Sequence, residues 1–293
     1  MNRRSFLASA ATAAAALPRV SAQKPLASIA RLRTAICAYS YRKELQAKSM
    51  TYDDLVRLAV ELDVDGLDLT VYWFPNTSDQ FLLPLRRLAF RNAVEIYSIS
   101  VRTDMCRPTP ELQAAEVAAV KQWVDVAAKL GAGHIRVFGG NVPKGATEEQ
   151  AAGWVTEILK RSAEYSGSKG VILGLENHGG ITARAERILE IVKAVDSPWV
   201  GINLDTGNFR TDAYRQIELC LPYAVNAQFK TEIEDGGKRV PQDWERIMRL
   251  FATAGYKGYF ALEYEAAEPA PTAVPRLTRQ LNALARKYSH GAV

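Results

Sequence analysis

Histidine and cysteine are both scarce, at three each in 293 residues. Cys37, Cys106 and Cys220 are too few and too scattered for a disulfide framework, and no pair has zinc-ribbon spacing. With only His134, His178 and His290, any site needing many imidazoles, such as a trinuclear zinc centre, is excluded. No run of about eighteen residues is both apolar and uncharged, so a conventional membrane span is missing. Clusters of lysine and arginine are lacking too, which removes nucleic acid as an expected partner. What is present is ordinary for a globular chain: 48% hydrophobic and 24% charged residues, which exclude wholesale disorder and fibrous repeats.

The formal net charge of +5 is carried largely by the N-terminus. Residues 1–22 hold Arg3, Arg4 and Arg19 and no acid, so the remainder stands near neutral at +2. Arg3-Arg4-Ser5-Phe6-Leu7 has the twin-arginine pattern, the apolar run to Leu17 is short, and Val20-Ser21-Ala22 offers small residues for cleavage. We expect a twin-arginine signal over residues 1–22, a linker over 23–30, and one domain over 31–293. The mature protein is then expected in the periplasm or otherwise exported, with no stable membrane span. That route carries folded proteins, so a metal can be loaded before export.

From Arg31 onward, short β-branched or apolar runs alternate with longer stretches of helical periodicity. The runs are 34–39, 66–71, 95–101, 134–138, 171–176, 200–205, 224–229 and 258–263, eight in all. Thr51, Thr109 followed by Pro110, and Thr147 are placed to cap helices, and Gly131, Gly170 and Gly255 to end them. Eight β-α units in a chain of this length predict a closed (β/α)8 TIM barrel. A doubly wound sheet would need fewer strands and usually a glycine-rich loop after the first, where Ala38-Tyr-Ser-Tyr-Arg42 has no glycine.

In such barrels the reactive groups sit at the C-terminal ends of strands. The last four runs end with Glu176, Asp205, Gln228 and Glu263. Three carboxylates gathered on one rim are costly through repulsion and desolvation unless a cation joins them. A divalent metal would resolve this, and an all-oxygen set favours Mg²⁺ or Mn²⁺ over zinc.

Leu175-Glu-Asn-His178, Asn203-Leu-Asp-Thr-Gly-Asn208 and Leu262-Glu263 together resemble motifs of the sugar isomerase/epimerase superfamily, with its xylose isomerase-like barrel. The resemblance covers essentially the whole chain after the leader by strand order, with specific motifs between strands five and eight. It implies metal ligands at Glu176, Asp205, position 228 and Glu263. The usual strand-seven pattern is His-x-His-x-Lys, whereas this chain has Asn226-Ala-Gln-Phe-Lys230. Gln228 can ligate through its carbonyl oxygen, as in the hydroxypyruvate isomerase branch; Asn226 has the same parity.

The resemblance further implies an enediolate mechanism on a free, unphosphorylated keto sugar, with Glu176 and Glu263 as catalytic acid and base as well as ligands. His178, Lys230, Asn208 and Arg136 are candidates to bind substrate oxygens, and Tyr39 and Trp73 (with Phe74) to form an apolar wall. His134, at the far end of strand four, reads as structural, and Cys37 as a small core residue. Cleavage of 3-keto glycosides by a lyase or hydrolase using the same chemistry is an alternative. Others are a hydroxypyruvate isomerase-like enzyme and a non-catalytic sugar-binding barrel. The expected partner is a small sugar, and self-association into a homo-oligomer is left open.

Overall fold

In a computed structural model describing residues 30–289, the eight expected runs form eight parallel strands closed into a barrel. The signal, all but the last residue of the linker, and His290 lie outside the described residues. The chain runs β1 (Arg31–Cys37), α1 (Arg42–Gln46), α2 (Tyr52–Glu61), β2 (Gly66–Thr70), α3 (Asp79–Arg91), β3 (Glu95–Ser100), α4 (Pro110–Leu130) and β4 (His134–Phe138). It continues through α5 (Glu148–Ser168), β5 (Ile172–Glu176), α6 (Ala185–Val195), β6 (Val200–Asp205), α7 (Ala213–Cys220) and β7 (Ala224–Phe229). Next come β8 (Glu232–Asp235), β9 (Lys238–Pro241), α8 (Trp244–Thr253), β10 (Lys257–Leu262) and α9 (Ala270–Tyr288). β10 pairs with β1 from Arg31↔Lys257 to Ile36↔Leu262, which closes the ring. Among the described residues no helix is long and apolar enough to cross a membrane.

Local chemistry places the helices as expected. Thr51 and Asp54 form a reciprocal capping box on α2, and Thr147 with Gln150 forms another on α5. Thr109 caps α4 with Pro110 in its first turn, and Gly131 ends that helix in the left-handed region, at φ 80°.

Period-two alternation divides the strands between two environments. Outward residues such as Leu67, Ile99, Ile135, Val137, Leu173, Leu175, Ile202 and Leu204 are buried under the helices and form the main hydrophobic core. Inward residues are small or polar: Ala35, Cys37 and Ala261 stand beside buried Asp68, Ser98, Ser100, His134, Arg136, Asn203, Asn226 and Gln228. Arg136 is buried toward the barrel axis. At the lower end Tyr97 and Tyr259 stack with centroids 3.7 Å apart and close the floor.

One element was not anticipated. β8 and β9 form a hairpin between β7 and α8, turning at Gly236-Gly237, both with positive φ. Gly-Gly between two short alternating segments is itself a type I′ turn signal.

His134 is part of this floor. Its Nδ1 lies 2.8 Å from Ser98 Oγ, and its Nε2 has no partner. A Cβ on Gly174 would lie 2.2 Å from that Nε2, so glycine makes room for the ring. Burial, helped by the charge of Arg136, pulls the His134 pKa down to about 3. The folded chain keeps the ring neutral, whereas the unfolded chain protonates it near pH 6.5. Its contribution to stability is therefore complete above pH 6.5 and is lost as pH falls toward 3. Urea unfolding should show wild type losing roughly 2 kcal/mol between pH 7.5 and pH 5 through this ring. His134→Asn should lack that component; an undiminished pH slope in the variant would refute the assignment.

Candidate active site

The C-terminal end of the barrel collects the acids expected there. Glu176 and Asp205 are the last residues of β5 and β6, and Glu263 follows β10 directly. All three are buried, and so are the cations beside them, Arg136 and Lys230. Arg136 Nε lies 2.9 Å from Glu176 Oε2, while its Nη1 donates to the Tyr72 hydroxyl and the Val101 carbonyl. Lys230 Nζ lies 3.3 Å from Asp205 Oδ2, 3.2 Å from Glu263 Oε2 and 2.7 Å from Glu265 Oε2. Only the last of these three contacts is aligned as a hydrogen bond. Lys230 does not pair with the nearby Glu232 or Glu234; Glu232 pairs with Arg239 instead.

Neighbouring backbone and amide groups fix the acids. Asn177 exchanges two hydrogen bonds with the Asp205 backbone, and Gly207 N donates to Asp205 Oδ1 at 2.8 Å. Asn208 Nδ2 donates to Glu176 Oε1 at 3.1 Å. The cavity above is lined by Tyr39, Tyr72, Arg102, Phe138, His178 and Asn208 together with Arg136, Glu176, Lys230, Glu263 and Glu265. His178 packs on the Phe138 ring with centroids 4.1 Å apart. It continues into a depression walled by Arg210, Ile233 and Arg239, so the hairpin overhangs one side. Trp73 is not among the lining residues: it sits 6.0 Å from the Tyr39 ring, beside a separate hollow with Tyr52 and Phe74.

Burial governs the electrostatics. It raises Glu263 to about 7 despite the opposing ammonium of Lys230, and lifts Glu176 well above the carboxylate range against the pull of Arg136. Burial works against the charge on Lys230 as well, but Asp205, Glu263 and Glu265 outweigh it and hold that pKa well above its usual value. His178 is lowered to about 4 by burial and by Arg136, so it is neutral at pH 7. Four carboxyl groups thus gather around the two buried cations Arg136 and Lys230, and burial favours the protonated forms of Glu176 and Glu263.

Glu176 Oε2, Asp205 Oδ2 and Glu263 Oε2 are buried without a hydrogen-bond partner, although ion-pair contacts reach each. Such hard oxygen donors fit Mg²⁺ or Mn²⁺. Among the described residues no three His, Cys, Asp or Glu side chains yet enclose a common point in metal-binding geometry. Gln228 is committed elsewhere. Its Oε1 accepts from Asn203 Nδ2 at 2.8 Å, and its Nε2 donates to Asp68 Oδ2 at 3.3 Å. Asn226 Nδ2 in turn donates to Asn203 Oδ1, and Tyr97 OH to Asn226 Oδ1. Both amides of β7 therefore belong to a buried row beneath the carboxylates.

Sequence reasoning missed Asp68, Tyr72, Arg102, Phe138 and Glu265. Asp68 was findable, because a lone acid in the apolar run Gly66-Leu-Asp-Leu-Thr70 is the same signal that singled out Glu176. It accepts from Ser100 at 2.9 Å and faces Arg136 electrostatically.

The chain matches the model of the xylose isomerase-like TIM barrel family over residues 56–284, and it belongs to that family. Among solved structures it is similar to D-psicose 3-epimerase with D-tagatose from Clostridium cellulolyticum H10, at 16% identity, over 87% of this chain and 95% of that one, with a TM-score of 0.64. It is also similar to the probable 3-DHS dehydratase AsbF of Bacillus anthracis, at 15% identity, 85% and 98% coverage, and TM-score 0.63. A third is the IOLI protein with a binding zinc atom, at 14% identity, over 87% of this chain and 99% of that one, with a TM-score of 0.68. At these identities the likeness is one of fold. No curated protein matches the sequence.

Removing Arg136 would strand the Glu176 carboxylate in a buried site. Arg136→Met should cost about 3–5 kcal/mol in chemical denaturation at neutral pH. A loss below about 1 kcal/mol would show that this pair does not hold the acid.

Proposed function

We propose that this protein is a divalent-metal-dependent isomerase or epimerase of a free, unphosphorylated keto sugar. The observation that carries the reading is the trio of buried carboxylate oxygens on Glu176, Asp205 and Glu263 that lack a hydrogen bond, with Glu176 and Glu263 lining the cavity and Asp205 behind Lys230. These three residues would hold the metal, Mn²⁺ or Mg²⁺, and Gln228 would join them only by leaving Asn203. A bound dication would supply Lewis-acid polarisation of a carbonyl and a neighbouring hydroxyl.

The chain's own residues account for the proton movements. Glu263, whose carboxyl borders the cavity, can take a proton from the carbon next to a carbonyl and return it. Glu176 supplies the second carboxyl, its Oε1 oriented by Asn208 and its charge balanced by Arg136. Lys230 and neutral His178 border the same space and can donate to substrate oxygens. Tyr39, Tyr72 and Phe138 offer faces for the C–H surface of a sugar.

A second reading is elimination from, or cleavage of, a 3-keto glycoside. The extension of the cavity toward Arg210 and Arg239 favours it by offering space for a leaving group. Work outside the cytoplasm accords with an unphosphorylated substrate, and we assign export to the twin-arginine pattern of residues 1–22.

The test is incubation of metal-loaded protein with ketoses in deuterated water, followed by NMR. Exchange at carbon without fragmentation is expected for an isomerase or epimerase, and release of an aglycone from 3-keto glycosides for the lyase. Glu176→Gln and Glu263→Gln should each lower turnover by at least about a thousandfold. Neither should unfold the barrel, since glutamine keeps the size and an oxygen acceptor of each side chain and Arg136 retains its bonds to Tyr72 and Val101. Full activity in either variant would overturn the assigned roles.

A further inference from the structure

Lys230 stands in an unusual place for a residue whose task is to meet substrate. Its Nζ is set between Asp205 Oδ2 and Glu263 Oε2, two of the three buried oxygens that lack a hydrogen bond. A small cation bridging those oxygens would need the same volume. Two cations cannot occupy it together, because both their charges and their van der Waals surfaces collide. We infer that the Lys230 ammonium and a divalent metal ion are alternative occupants of the space between Asp205 and Glu263, with Glu265 as the acceptor that keeps the displaced ammonium at the rim. The inference rests on the reading that these carboxylates take a dication.

Glu265 is built for that part. It makes the shortest of the three contacts, the only one aligned as a hydrogen bond. Its side chain is 32% exposed, against 0% for Asp205 and 7% for Glu263, so it is the partner nearest solvent. The lysine backbone is pinned, with its N–H donating to Thr206 Oγ1 and its carbonyl accepting from Trp244 Nε1. Movement therefore falls to the side-chain stem, which lies against Gly207, where a Cβ would come within 2.6 Å of Lys230 Cγ. A pivot toward Glu265 exchanges two unaligned ion pairs for solvent at the rim and keeps the one directed hydrogen bond. In the metal-free protein the lysine offsets repulsion among the acids, so the site is stable before loading. The consequence is that metal affinity is a difference between two cations rather than a property of the ligands alone.

The experiment is titration of the metal-stripped full chain with Mn²⁺ at pH 7.5, following free Mn²⁺ by electron paramagnetic resonance. Lys230→Met should bind Mn²⁺ at least tenfold more tightly than wild type, and Glu265→Gln more weakly. Arg102→Met controls for charge alone, since it removes one cation from the same cavity without vacating the space, and should change affinity less than threefold. Lys230→Gln serves if thermal melting shows the Met variant unfolded. Wild-type binding with a lysine variant no tighter than Arg102→Met would overturn the competition and leave the metal reading standing. Affinity in Glu265→Gln equal to or above wild type would overturn the rim acceptor. Failure of wild type and both lysine variants to bind Mn²⁺ would overturn the inference and the metal reading together.

Discussion

The burial of several carboxyl groups inside a low-dielectric barrel is the constraint around which the upper end of this molecule is arranged. Glu176, Asp205, Glu263 and Glu265 converge there, paired with the buried cations Arg136 and Lys230. Neither cation is a surface ornament: both are buried, and each contacts a carboxylate that has no aligned hydrogen-bond partner on the facing oxygen. The arrangement is costly for a resting structure but useful for a site that must receive another cation or hand protons back and forth. Burial, with the neighbouring acids adding to it, lifts Glu263 into the neutral range and brings its protonated and ionised forms close in free energy.

Below the acids the interior changes character. Asn203, Asn226 and Gln228 hold one another in a buried row, braced by Asp68, Ser100 and Tyr97. Every member is satisfied, which is the condition under which a buried polar network adds rigidity rather than cost. The two amides of β7 thus have a local structural reading: Asn226 and Gln228 each pair with Asn203 of β6, whose side chain accepts from one and donates to the other.

The architecture was legible from sequence because the barrel writes its period plainly. Outward Val, Ile and Leu alternate with inward small or polar residues, and threonine caps and glycine stops punctuate the helices. The strand-end acids were legible for a related reason, as charged residues closing otherwise apolar runs. Pairing was not. Nothing local to Lys230 distinguishes Glu265 from Glu232 or Glu234, since the choice depends on which strand lies beside β7, and that is β10. Arg136 could be placed on its strand but not on a face, for the same reason. Trp73 shows the limit from the other side: it follows the end of β2, yet a short turn carries its ring away from the cavity that Tyr39 and Tyr72 enter. The β8–β9 hairpin was overlooked although its glycine pair advertised it, because alternation over four residues is too brief to weigh alone.

The row of amides also has a direction. From Tyr97 each group donates to the next, and the series terminates on a carboxylate, which when ionised can only accept. Asp68 therefore dictates which way every amide in the series faces, including how Gln228 presents itself to the acids overhead. Neutralising that one carboxylate would free the whole series to reverse, so an aspartate on the opposite side of the barrel governs whether a carbonyl or an amino group of β7 is turned toward any given neighbour.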